Sequence, residues 1–96
     1  MKFEFDYILT EKEFDNATDD EQLLESAYFE HNGELYYFEI YKIKNNNVLY
    51  INKKGNEENF VIYSKRTKIN KLEKLIKWAT KTTKTFFEKG DFELWK

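Results

Sequence analysis

The chain has 96 residues, with 9 Phe, 7 Tyr and 2 Trp to fill one core, which points to a single domain spanning 1–96. Cysteine is absent, which excludes a disulfide framework, a thiolate metal site and a cysteine nucleophile. The formal net charge of −2 hides a split: residues 1–31 carry ten acids against two lysines, and residues 32–96 carry fourteen bases against eight acids.

Lys2 to Leu9 alternates, with Phe3, Phe5, Tyr7 and Leu9 on one side, as a half-buried strand does. Thr10 and Glu13 have the spacing of a helix capping box, and Thr18 and Glu21 repeat it. One or two short helical turns are therefore expected between residues 11 and 24, anchored by Leu23 and Leu24. Asn32-Gly33 lies between two aromatic runs, the strongest short signal for a hairpin with a type I′ turn. That turn sets Phe29 opposite Tyr36, Tyr28 opposite Tyr37 and Ala27 opposite Phe38. Leu35 to Ile43 is apolar on both faces for part of its length, as in a central strand. Asn45-Asn46-Asn47 reads as a turn, Val48 to Asn52 as a strand, Lys53 to Glu58 as a turn and Phe60 to Tyr63 as a strand. The period then lengthens to about 3.6 residues, and Ile69, Leu72, Leu75, Ile76, Ala79, Thr83 and Phe86 form one stripe. This predicts a helix from about Lys68 to Lys89, with Gly90 as C-cap and an arm or last strand over Asp91–Lys96. The expected fold is α+β: an antiparallel meander of four to five strands packed by one long C-terminal helix, with short helical turns after the first strand.

Three surfaces are candidates for binding. The first is acidic: Glu11, Glu13, Asp15, Asp19, Asp20, Glu21 and Glu25. Such a surface can imitate nucleic-acid phosphates, or it can serve only capping and solubility. Asp19, Asp20 and Glu21 lack the spacing of a calcium loop, so no metal is expected. The second is aromatic: Leu35, Tyr37, Tyr41 and Ile43 share one strand face and Tyr28 opposes Tyr37, while Phe29, Tyr36, Phe38 and Ile40 suit the helix side. An exposed aromatic patch marks an interface unless the acidic segment or a second copy of the chain covers it. The third is basic: Lys71, Lys74, Lys77, Lys81 and Lys84 cluster opposite the apolar stripe, with Trp78 at the boundary, in a ridge about twenty ångströms long. The one arginine, Arg66, counts against specific base readout.

His31, the one histidine, sits beside the Asn32-Gly33 turn, where exposure is expected, and no nucleophile neighbours it. Three glycines leave no phosphate loop, and no hydrolase, metalloprotease or dinucleotide motif is present. The chain is therefore read as non-catalytic and without cofactors. Met1–Asp6 carries two acids and no apolar run, against a secretory leader, and no stretch is long enough to cross a membrane. Lysine-rich, proline-free composition fits an AT-rich source such as a low-GC bacterium or its phage, with the host cytoplasm as compartment. The expected function is a protein-binding module that inhibits a host protein by covering its surface, of the anti-defence or anti-CRISPR type. A nucleic-acid-binding accessory protein using the lysine ridge is the alternative, and a small-ligand protein or enzyme ranks last.

Overall fold

The computed structural model describes residues 1–17 and 20–89. Its centre is the Asn32-Gly33 turn, where φ is 52° at Asn32 and 79° at Gly33, the left-handed pair that a type I′ hairpin requires. The flanking strands are β2 (Asp20–His31) and β3 (Glu34–Ile43). They pair antiparallel with Phe29 opposite Tyr36, Tyr28 opposite Tyr37 and Ala27 opposite Phe38. On either side lie β1 (Glu4–Ile8), β4 (Asn46–Lys54) and β5 (Asn59–Thr67), so the strand order is the chain order and every neighbour is antiparallel. The expected sheet and its central strand are both present.

The turns differ in detail from the sequence reading. Between β3 and β4 the left-handed residue is Lys44 (φ 54°), and Asn46 and Asn47 already belong to the ladder. Asn47 is buried because its side-chain amide donates to the carbonyl of Ile69. Between β4 and β5 the chain closes so tightly that a Cβ on Gly55 would collide with the carbonyl oxygen of Glu58.

Two helices complete the fold. α1 (Glu11–Asp15) begins with the expected capping box: the Glu13 amide donates to the Thr10 hydroxyl, and the Thr10 amide donates to the Glu13 carboxylate. These hydrogen bonds hold the Glu13 carboxyl below its ordinary pKa. The second expected helical turn does not form at Asp20–Leu24, which is already β2. Pairing with Lys42 and Tyr41 recruits Gln22 and Leu23 into the sheet, and tertiary context overrides a three-residue capping signal. α2 (Leu72–Glu88) starts four residues later than the expected Lys68. The Ile69 carbonyl, which a helix beginning at Lys68 would offer to the Glu73 amide, is engaged by the Asn47 side chain. Gly90 and Asp91–Lys96 lie outside the described residues.

α2 lies across one face of the sheet. Leu72, Leu75, Ala79, Phe86 and Phe87 meet Leu24, Ala27, Phe29, Tyr36, Phe38, Ile40, Leu49 and Ile51 in one core, joined by Leu9 and Phe14. Phe87 packs its ring edge-on against Phe29 and Tyr36, with centroids 5.5 and 4.9 Å away, and Phe86 lies tilted against Tyr63 at 4.6 Å. Ring pairs at these separations add to the area each buries.

Four residues interrupt the ladders: Asp6 in β1, Glu21 and Leu24 in β2, and Ile62 in β5. Each bulge inserts one residue and resets which side chains share a face. Asp6 breaks the alternation expected of β1: Phe5 pairs with Ala27 on the helix side, whereas Tyr7 pairs with Ser26 on the other. Leu24 does the same for β2. Glu25 then pairs with Ile40 and stands on the helix-covered face.

Candidate functional site

Side chains of directly paired residues share a sheet face, so the register defines what the second face presents. Three rows cross it: Glu4, Tyr28, Tyr37, Asn52, Val61; then Tyr7, Ser26, Glu39, Tyr50, Ser64; then Leu23, Tyr41, Val48, Arg66. Five of the seven tyrosines, at 7, 28, 37, 41 and 50, therefore stand on the face that α2 does not cover. Among the described residues no helix or loop lies over them: α1 buries Phe14 in the core on the opposite side.

The middle of this face has a definite chemistry. Glu39 is half-buried, with Tyr37 and Tyr41 two residues away on the same strand and Tyr50 directly across. The Tyr41 hydroxyl donates to the Glu39 carboxylate at 3.0 Å, and the Tyr41 and Tyr50 rings are 6.0 Å apart. Desolvation and its bond to the carboxylate push the Tyr41 phenol up to about 12. Desolvation, with the Glu39 charge behind it, also raises Tyr37. Tyr28 leans on Tyr37 at 5.5 Å, and the Lys54 ammonium sits 5.5 Å above the Tyr28 ring. The result is a carboxylate set among three phenol rings, a lining that suits a cation.

Tyr28, Tyr37 and Tyr41 are thus brought together as their strand positions imply. Glu39 and Tyr50 complete the group and were not singled out from the sequence. Their signal was the same alternation: position 39 falls between 37 and 41, and Tyr50 lies on the next strand, whose register the Asn-rich turn left open.

Among the described residues the acidic candidates do not form one surface. Glu11, Glu13 and Asp15 lie on α1, where Glu11 and Asp15 line a depression with Asn70, Lys71 and Lys74 at the start of α2. Glu21 is exposed in β2 in a left-handed conformation, Asp20 opens that strand, and Asp19 lies outside the described residues. Glu25 is not a surface residue: it is 0 % exposed, and neither carboxylate oxygen has a hydrogen-bond partner among the described residues. Burial pushes its pKa up to about 8.

The lysine candidates are exposed, Lys71 at the N-cap of α2 and Lys74, Lys77, Lys81 and Lys84 along it. Lys77 pairs with Glu73 one turn back at 3.4 Å, and the Lys84 ammonium lies 5.9 Å from the Phe3 ring. Trp78 is half-buried against the core and lines an open depression with Tyr63, Lys65 and Lys81, so its ring is partly committed to packing. His31 is not fully exposed: its ring packs 4.6 Å from that of Phe87. Among the described residues no three His, Asp or Glu side chains gather as a metal site, and no helix is long and apolar enough to cross a membrane. No protein family, curated protein or solved structure matches the chain.

Proposed function

We propose that this domain is a non-catalytic protein-binding module whose open, tyrosine-rich sheet face receives a basic patch of another protein. The carrying observation is Glu39 ringed by Tyr37, Tyr41 and Tyr50 on a face that nothing in the described chain covers. An arginine suits this site best, since a planar guanidinium stacks on phenol rings while its N–H groups meet a carboxylate. Tyrosine beside the exposed Ser64 combines rigid contact area with an accessible hydroxyl, as antibody paratopes do, while Ser26 and Asn52 are buried beneath the rings. A carboxylate at the centre opposes nucleic-acid phosphates, which favours a protein partner here. Covering a host protein's basic, nucleic-acid-handling surface, as an inhibitor of the anti-defence type would, is the role that fits this chemistry.

The test is a titration of the isotopically labelled protein, followed by NMR, with an arginine–glycine repeat peptide and with a glutamate–glycine peptide as control. The arginine peptide is expected to shift the amides around Tyr37, Glu39, Tyr41 and Tyr50, and Glu39→Gln should weaken it by about tenfold or more, the worth of one charge-assisted contact. Shifts confined to α1, or an unchanged affinity in Glu39→Gln, would remove this surface from consideration. Binding of single-stranded DNA that weakens steeply with salt and vanishes in a Lys74→Glu, Lys77→Glu, Lys81→Glu variant would install the lysine ridge in its place.

A further inference from the structure

β5 is the last strand of the sheet, and among the described residues no strand pairs with its outer edge. It is nine residues long, and its middle, Phe60-Val61-Ile62-Tyr63, carries no charge. Phe60 is 51 % exposed and Val61 59 %, the two most exposed large apolar side chains described. A long, apolar, unpaired edge is a template for another strand, and natural domains usually blunt such an edge with charge or proline. β1, at the opposite edge, follows that practice: it is five residues long and carries Glu4 and Asp6.

The order of residues along β5 says which strand fits it. Glu57 and Glu58 lie in the turn just before β5, and from Glu57 to Arg66 the chain reads acid, acid, Asn, Phe, Val, Ile, Tyr, Ser, base, base. Run antiparallel against itself about a two-fold axis at Val61–Ile62, the segment sets Glu57 against Arg66, Glu58 against Lys65, Asn59 against Ser64 and Phe60 against Tyr63. A regular strand could not use this register, because each pair would join residues from opposite faces. The bulge at Ile62 removes the conflict for the Asn59–Ser64 and Phe60–Tyr63 pairs and leaves Val61 and Ile62 at the axis. Phe60 and Tyr63 pair with Lys53 and Ile51, so both stand on the helix side; Asn59 and Ser64 pair with Lys54 and Tyr50, so both stand on the open side.

From this self-complementarity we infer that β5 is a homodimerisation edge, pairing antiparallel with β5 of a second copy to give one continuous ten-stranded sheet. The two-fold axis makes the contact isologous and closed, so assembly stops at two. The inference is independent of the proposed function: the open faces lie side by side in the dimer and remain uncovered.

The test is sedimentation of the full chain with two charge-reversed variants, Glu57→Lys/Glu58→Lys and Lys65→Glu/Arg66→Glu. Wild-type protein should sediment at twice the 11.8 kDa protomer mass with rising concentration. Each variant alone should stay monomeric, since one has bases at both ends of the paired segment and the other acids. Mixed, the two should form a heterodimer, which also shows that both are folded. A wild type that stays monomeric at every concentration would overturn the inference. So would variants that dimerise as the wild type does, a mixture that does not associate, or species larger than two.

Discussion

Glu25 is the residue whose behaviour is set most strongly by one local event. The bulge at Leu24 turns it onto the covered face opposite Ile40, where neither oxygen is hydrogen-bonded within the described chain. A carboxyl so placed keeps its proton, with a pKa of about 8 against 4.5 for the free group. In the unfolded chain Glu25 loses that proton above about pH 4.5, so between there and about pH 8 the folded state holds more protons and stability falls as pH rises. Above pH 8 both states are ionised and this contribution levels off, having cost on the order of 5 kcal/mol, a large part of a small domain's total. Urea midpoints measured from pH 4 to 9 should show a decline for the wild type that Glu25→Gln lacks. Parallel profiles for the two proteins would mean that Glu25 reaches solvent or a partner. The sequence did not disclose this: Glu25 stands in an acid-rich stretch, and only the extra residue in β2 separates it from the exposed acids.

At the scale of elements, local signals with a stereochemical cause were legible. Asn32-Gly33 fixed a hairpin because two consecutive positive φ angles admit few other residues, and Thr10/Glu13 fixed the start of α1 because the reciprocal bonds need that spacing. The bulges and the start of α2 were not, because they depend on partners distant in sequence, such as Asn47 for Ile69. The start of α2 is also poorly capped: Lys71 holds the N-cap position in extended conformation, makes no side-chain bond to the first turn, and puts a positive charge at the positive end of the helix. Lys71→Asp should therefore stabilise the domain by about 1 kcal/mol, read as a higher urea midpoint at unchanged slope. Glu11 and Asp15, which face Lys71 across a shared depression, would reduce that gain, and added salt should restore it. A Lys71→Asp protein no more stable than wild type at raised salt would show that the first turn of α2 is satisfied by other means.

At the scale of the molecule, the fold gives one sheet a covered and an open surface, and adjacent residues in β3 report the division. Tyr36 is buried, stacked on Phe29 and edged by Phe87; Tyr37 faces the open side against Tyr28. Part of the charge split of the sequence meets on the helix side, where Glu11 and Asp15 of α1 share a depression with Lys71 and Lys74. What remains unexplained by folding is the tyrosine content of the other face, since rings there bury only part of their area. Tyr36→Ala should remove core packing and cost roughly 3–4 kcal/mol, enough to threaten folding. Tyr37→Ala removes a cross-strand pair on an open surface and should cost about 1 kcal/mol or less. Denaturation of both variants, with circular dichroism to confirm the fold of Tyr37→Ala, separates a face kept for stability from one kept for recognition. Equal losses would mean that the open face is core in solution, covered by chain or by a second protomer, and Tyr37, Tyr41 and Tyr50 would then be unavailable to an arginine.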